Sequence, residues 1–493
     1  GKKVINGPMI WAPDSAVLFG PVPELRNYFC CNGIIPGFSQ SGGIGKLAAE
    51  WMVEGEPSLD MFIWDVARFG DWADRKFTRA RVQDQYSHRF KIHFPNEERA
   101  AGRPVRTRPV YGMQQELGAV FGLNAGWEHP LWYAQADEPR AETNGFKRQN
   151  WWEPVGREAR MLRDRAGIID ISNFAKYRVE GAGATAWLDA LFANRMPVET
   201  GRSCLTPLIG GRGGIAGDFT VTRLGDESFM VFGSGMAERF HLRFFNAVPR
   251  PATVSFASMT SAMGGFNVAG PQARALLQGL ADADLSSAAF PFMRSRRMRV
   301  AGVEVVALRV SFTGDLGWEL YCATEDQPRL YRALLDAAAG VGAGPVGSRA
   351  LMSLRIEKGY GSWGREYSPE YWPQESALDR LVKMDKPDFL NREAYARIAG
   401  RPARQQLAMV AIEAIDADAT GGEPIFLPDG TPAGQVTSGA YGYSVGRSLA
   451  LCYLQTGLTR PGDRVVVQVI GRPHQATVLD RPPFDPEGLR LRA

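Results

Sequence analysis

Few residues in this sequence combine a reactive type with a telling position. Asp218 stands in "RGGIAGDFTV", after a glycine-rich turn and at the opening of an apolar run. Glycines let the backbone approach a ligand closely, and a carboxylate at a strand mouth can act there. The same Asp can instead bond its own turn. Glu319 stands in "SFTGDLGWELYC" between Trp318 and Leu320. A lone acid in an apolar strand is costly unless it is paired or binds something. It can accept two N–H bonds from an aminopyrimidine edge, or lie on the solvent face of an alternating strand. Asp315 in the same stretch reads as a turn former. Arg355 and Glu357 close the helical run "GSRALMSLRIEKGYGSWG". Arg there complements the helix dipole or belongs to a salt-bridged helix end.

A glycine run comes much earlier. In "QSGGIGKLAAEWMVEG", Gly42, Gly43, Ile44 and Gly45 read as a loop ahead of the helix "KLAAEWMVEG". Such a loop gathers free backbone N–H groups and a helix dipole, a site for an electron-rich ligand atom. No dinucleotide fingerprint strand precedes it.

Three other motifs match only on paper. "GAGATA" (181–186) fits G-x-G-x-x-A, but its near-copy "VAGPQAR" loses the glycine pattern, so a compact strand-to-helix turn explains both. "GRGGIA" (211–216) leads into a strand, so the helix N-terminus that would hold a pyrophosphate is missing. "GYSVG" (442–446) also precedes a strand, which argues against Ser444 as a hydrolase nucleophile.

The elements that must position these residues follow from composition and pattern. The chain has 493 residues, 45% hydrophobic and 22% charged, with a formal charge of +4. That describes a globular protein of about three domains and gives no support to nucleic-acid binding. Arg residues are scattered, as on a solvated surface. The five Cys form no C-x-x-C pair and the five His no ligand spacing, so neither a disulfide framework nor a metal site is expected. No apolar run approaches the ~18 residues of a membrane span.

Residues 1–63 read as α/β, with two strands in "VINGPMIWAPDSAVLFG" and a third in "LRNYFCCNGI". Residues 64–145 are rich in Arg, Pro and aromatics and read as a linking region. In residues 146–400 strands alternate with helices. There "KYRVEGAGATAWLDALFA" and "GFNVAGPQARALLQGLA" look like two copies of one strand–turn–helix unit, the mark of a pseudo-symmetric α+β domain. Residues 401–493 alternate and are punctuated by Asp429-Gly430 and Gly471-Arg472, the pattern of a small barrel.

These residues carry a resemblance. "GWEHPLWY", "GIIDISNFAKYRVEG", "GGIAGDFTV", "VAGPQARALL", "SFTGDLGWELY", "LRIEKGY" and "TSGAYGYSVGRSLALCYL" look like the aminomethyltransferase, or T-protein, of glycine cleavage. Their order and spacing cover about residues 120 to 485. With "VINGPMIWAPDSAVLFGP", "GGIGK" and "EERAAGRPVR" ahead of them, the chain resembles the dimethylglycine and sarcosine dehydrogenases. "TNGFKRQNWWEPVG" is nearer the first, while "AFPFMRSRRMRVAG" and "PPFDPEG" lean to the second.

The resemblance implies an α+β multidomain fold. Residues 1–63 would end an FAD amine-oxidase domain, and 64–120 would form its central or linking domain. Residues 121–400 would form a folate-binding T-protein-like domain, and 401–493 its C-terminal β-barrel. The implied cofactors are FAD and tetrahydrofolate, and the implied partners an N-methylated amine substrate and an electron acceptor. The implied reaction is oxidative demethylation of dimethylglycine or sarcosine. The carbon is captured as 5,10-methylenetetrahydrofolate. A flavin-independent aminomethyltransferase is the alternative, and a non-catalytic folate-binding regulator a third reading. Asp218 is similar to the acid near the folate amine, Glu319 to the carboxylate that anchors the pterin, and Gly42 to Gly45 to the segment facing the flavin. T-proteins carry Ala-Arg-Asp where this chain has Ala350-Leu351-Met352, which leaves Arg355 as the nearest candidate for the folate tail. The FAD-pyrophosphate fingerprint and a flavin-linking His are missing ahead of residue 42. The expectation is therefore a chain that lacks the N-terminal part of the flavin domain and does not oxidise without it. The compartment would be a bacterial cytoplasm or a mitochondrial matrix.

Overall fold

The computed structural model describes residues 3, 4 and 6–493. Near the N-terminus, Leu18–Pro21 pairs antiparallel with Phe29–Asn32, placing Phe19 opposite Cys31. The helix Gly37–Glu54 follows and stops at Gly55, whose left-handed φ of 84° suits glycine. Ile44 and Leu47 bury its inner face against Val17, Phe19 and Met61.

Two expectations for this region are corrected. No strand forms in residues 6–12, and residue 5 lies outside the described residues. Pro8 and Pro13 lack the N–H groups that a ladder needs. Residues 42–45 are not a loop before a helix but the second turn of Gly37–Glu54. Their N–H groups therefore serve the helix itself. Gly42, Gly43 and Gly45 sit on its exposed face, where an added Cβ would meet nothing within 4 Å.

The central region is built on two sheets. The first has five antiparallel strands in the order Ser255–Ser258, Ala175–Glu180, Ser228–Gly233, Ile215–Gly225 and Ser203–Ile209. The second has six, in the order Ser295–Val300, Val303–Leu308, Gly317–Ala323, Met263–Ala269, Gly167–Asp170 and Gly344–Val346, with only the last pair parallel. The two expected copies lie one in each sheet. Strand Ala175–Glu180 leads to helix Ala184–Leu191, and strand Met263–Ala269 to helix Ala273–Gln278. Each turn is made by a glycine at positive φ, Gly181 at 112° and Gly270 at 125°. A Cβ on Gly181 would come within 2.0 Å of Thr253 O, so that glycine serves the close packing of the turn.

Apolar residues of each sheet's outer face pack under helices. Tyr177, Phe219, Val221 and Val231 form one core with Trp187 and Leu188, and Phe266, Trp318 and Leu320 another with Leu330 and Tyr331. A third core lies between the sheets and includes Met230, Phe232, Leu308 and Tyr321. The C-terminal region closes as a six-stranded barrel in the order Gln405–Ile412, Arg447–Gln455, Pro432–Gly442, Pro424–Phe426, Arg464–Val469, Arg472–Leu479. Ser444 lies in the turn between two barrel strands and donates its N–H to Glu357. No described helix is long and apolar enough to cross a membrane. All five Cys are free thiols, and among the described residues no metal-binding cluster forms.

Candidate functional site

Strand alternation decides which side chains meet between the sheets. In strand Ile215–Gly225, Phe219 and Val221 point into the helix-covered core. Asp218, Thr220 and Thr222 therefore point the other way. Two contacts show that this side faces the second sheet. Thr222 Oγ1 meets Ser295 Oγ, and Phe232, directly opposite Thr220, stacks on Tyr321 with ring centroids 4.4 Å apart. Glu319 lies two residues before Tyr321 and shares its face. Asp218 and Glu319 thus belong to facing walls of one inter-sheet space.

Glu319 sits in an inner strand, opposite Asn267 on one side and Leu308 on the other. Tyr321 Oη donates to its Oε2 at 2.8 Å. Burial pushes the Glu319 carboxyl up to about 7, against the pull of the Tyr321 hydroxyl and the Lys176 charge. The side chain is only half-buried, so one part of the carboxylate stays open to a ligand. An acid held in place by Tyr321 beside an aromatic pair is a receptor for a flat ring with an N–H edge.

Asp218 is also half-buried and also raised, to about 7. Burial is the main cause, opposed by a backbone hydrogen bond at Asp218 and aided by the negative charge of Glu366. The segment around Glu366 is fastened to Asp218's own strand, for Ile215 N donates to Tyr371 O at 3.0 Å. Gly214 makes this contact possible, since a Cβ there would lie 2.0 Å from Pro369 O. An acid that titrates near neutrality can both take and return a proton at the pH of a cell.

Arg355 does not serve as a free anchor for a ligand tail. Its guanidinium is wholly buried and committed to the protein, with Nη1 donating to Glu366 Oε2 and Tyr360 O, each at 2.8 Å, and Nη2 to Ser438 Oγ at 2.6 Å. Only Nε lacks a partner. Burial drives the pairing, because a guanidinium out of water needs a carboxylate. Glu357 is likewise internal and accepts from Arg163 Nη2 at 2.9 Å. Asp315 lies in the bend before strand Gly317–Ala323, and its carboxylate is a buried partner of both Arg163 and Arg490. Several arginines, among them Arg108, Arg163, Arg309 and Arg355, are interior residues and not surface ones. A separate cavity of about 310 Å³ opens among Trp151, Arg349, Arg355, Ser438 and Tyr441, and neither Asp218 nor Glu319 borders it.

Sequence reasoning passed over Tyr321 and Lys176. Tyr321 reads as a core aromatic until its hydroxyl is seen on Glu319. Lys176 shares a strand face with Arg178 and Glu180, charged residues that give no sign of burial.

Comparison with known proteins agrees with this architecture. The family model for the FAD dependent oxidoreductase central domain matches residues 54–107. That for the GCVT N-terminal domain matches 110–386, more than half of the chain. That for the glycine cleavage T-protein C-terminal barrel domain matches 404–485. Mitochondrial dimethylglycine dehydrogenase of Mus musculus is 34% identical over 495 residues, covering 99% of this chain and 56% of that protein. Mitochondrial sarcosine dehydrogenase of Homo sapiens is 28% identical, covering 100% of this chain and 59% of that protein. The chain thus spans a little over half the length of these relatives. The crystal structure of the glycine cleavage system aminomethyltransferase T from Bartonella henselae superposes with a TM-score of 0.67 at 23% identity, over 78% of this chain and 99% of that one, and shares the fold. With three family models in this order and relatives matching along its whole length, the chain belongs to the dimethylglycine and sarcosine dehydrogenase family.

Proposed function

We propose that this chain supplies the tetrahydrofolate half of an enzyme that oxidatively demethylates an N-methylated glycine, dimethylglycine or sarcosine, and captures the carbon as 5,10-methylenetetrahydrofolate. The observation that carries this reading is the placing of Asp218 and Glu319 on facing walls of one inter-sheet space. Glu319 offers an acceptor for the amino and N–H edge of the pterin, with Tyr321 steadying the carboxylate. Asp218 stands across from it as the group that moves a proton at the folate amine when the carbon is taken up. The residues present therefore suit tetrahydrofolate. The folate tail is left without Arg355, whose Nη groups are spent on Glu366, Tyr360 and Ser438.

FAD supplies hydride abstraction from the N-methyl amine when bound. The described residues do not by themselves form its site. The N–H groups of Gly42, Gly43 and Gly45 are taken up by their helix, and the turn at Gly181 is closed by Thr253. What the exposed glycine face of Gly37–Glu54 still offers is close approach without side chains in the way, and we assign it to the flavin side of the enzyme on that ground. Residues 1–63 are read as the end of the flavin domain, with 64–120 linking it to the folate domain at 121–400 and the barrel at 401–493.

The test is turnover by the full-length gene product. Sarcosine or dimethylglycine should bleach the flavin bands, and added tetrahydrofolate should divert released formaldehyde into 5,10-methylenetetrahydrofolate. Asp218→Ala should restore formaldehyde release without changing the bleaching. A colourless full-length protein that still transfers a one-carbon unit would replace this reading with a flavin-independent aminomethyltransferase.

A further inference from the structure

Lys176 is the least expected group between the two sheets. It lies on strand Ala175–Glu180, directly opposite Phe232, and is wholly buried. Its Nζ donates to Ser172 O at 2.9 Å and Phe174 O at 2.6 Å. Among the described residues no carboxylate oxygen comes within 4.0 Å of it. A buried ammonium held only by carbonyl oxygens is costly, and such charges are normally paired. Nζ lies over the Tyr321 ring, 5.8 Å from its centroid, and the Tyr321 hydroxyl is the donor to Glu319.

The neighbours deepen the puzzle. Arg108 shares the same acceptor, with Nη2 2.8 Å from Ser172 O, and finds its other partners at Ser261 O and Thr260 O. Two cations thus converge on one carbonyl without a carboxylate on either. The charged and titratable groups that act on Lys176 are Arg108, Glu238, Asp170 and Glu319, with Tyr321 between it and the last. Asp170 is already engaged by Ser172 N and Gln114 Nε2. Glu238 accepts from Ser258 Oγ. Of these carboxylates, Glu319 is the one bonded to Tyr321, whose ring lies 5.8 Å from Lys176 Nζ.

We propose that Lys176 is a positioning residue for the ligand site, holding Glu319 in its ionised form and keeping Tyr321 aimed at it. The inference rests on the folate reading of Glu319 and adds to it the source of the charge. A carboxylate in this recess loses its proton only if something positive stands near. Burial brings the Lys176 ammonium itself down to about 7, so it provides that charge on the acid side of neutrality, through the Tyr321 ring and from a wholly buried position. Only the ionised Glu319 offers acceptors on both oxygens to a donor edge.

The test is the pH dependence of tetrahydrofolate binding by the whole 493-residue chain, kept anaerobic and followed by calorimetry from about pH 6 to about pH 9. Lys176→Met should bind roughly tenfold more weakly near pH 6.5, with the deficit closing at the alkaline end, as follows from an upward shift of about one unit in the Glu319 titration. Lys176→Gln keeps a donor for the carbonyls but not the charge, and should behave as Lys176→Met even if the latter folds poorly. Lys176→Arg should follow the wild type. A loss that is the same at every pH, or a profile superimposed on the wild type, would overturn the inference while leaving the folate reading intact. Absence of binding by the wild type itself would overturn both.

Discussion

Arg355 and Glu366 meet in the interior with Nη1 2.8 Å from Oε2, and neither side chain reaches solvent. The carboxylate also accepts from Thr437 Oγ1 at 2.7 Å and Ser362 N at 2.9 Å. The pair joins the helix Ser348–Glu357 to the barrel and to the segment that packs on Asp218's strand. Arg355→Ala leaves that carboxylate buried without its counter-charge and should cost about 3–5 kcal/mol of stability. Urea unfolding measures it. Arg355→Lys should recover part of the loss, and folded Arg355→Lys should bind tetrahydrofolate as the wild type does. A large, selective loss of affinity in Arg355→Lys would restore the arginine as a ligand contact.

Asp218 should shape both rate and pH behaviour. Asp218→Asn should lower one-carbon transfer by about 10²–10⁴-fold while ligand still binds. Its folded-state titration near 7 stands above the ordinary 3.8. In that window the folded protein keeps a proton that the unfolded chain has lost. The stability due to this residue is therefore complete at low pH and lost as pH rises through about 7. Asp218→Asn should flatten that fall. Thermal melts from about pH 4 to about pH 8 give the slope, and an unchanged slope in the variant would contradict the raised titration.

Gly181→Ala tests the turn that resembles a nucleotide fingerprint. The new Cβ would sit 2.0 Å from Thr253 O at a φ of 112°. The strain should cost about 1–3 kcal/mol. Flavin content of the full-length protein should not change. Loss of flavin at unchanged stability would assign the turn to the cofactor.

Much of this arrangement is legible in the sequence because it rests on local period and turn chemistry. The barrel strands alternate, and Asp429-Gly430 marks a hairpin that forms between Pro424–Phe426 and Pro432–Gly442. The two strand–turn–helix copies are readable for the same reason. Asp218 and Glu319 stand out as acids in apolar strands. What stays hidden is set by tertiary contact. The glycine run at 42–45 reads as a loop because each glycine disfavours a helix by about 1 kcal/mol, yet burial of Ile44 and Leu47 carries the helix through it. The pairing of Arg355 with Glu366 needs a return of the chain that no periodicity announces. Lys176 looks like a surface lysine until the second sheet is laid over it.

The account stands on Glu319 as the ligand's acceptor, and one titration reaches that claim directly. Anaerobic calorimetry of the 493-residue chain with tetrahydrofolate should show one site per chain. Glu319→Gln keeps the shape but loses the charge, and should weaken binding by about 1.5–3 kcal/mol, the worth of a hydrogen bond to a charged group. Equal affinity in the wild type and Glu319→Gln, or no binding by either, would contradict it.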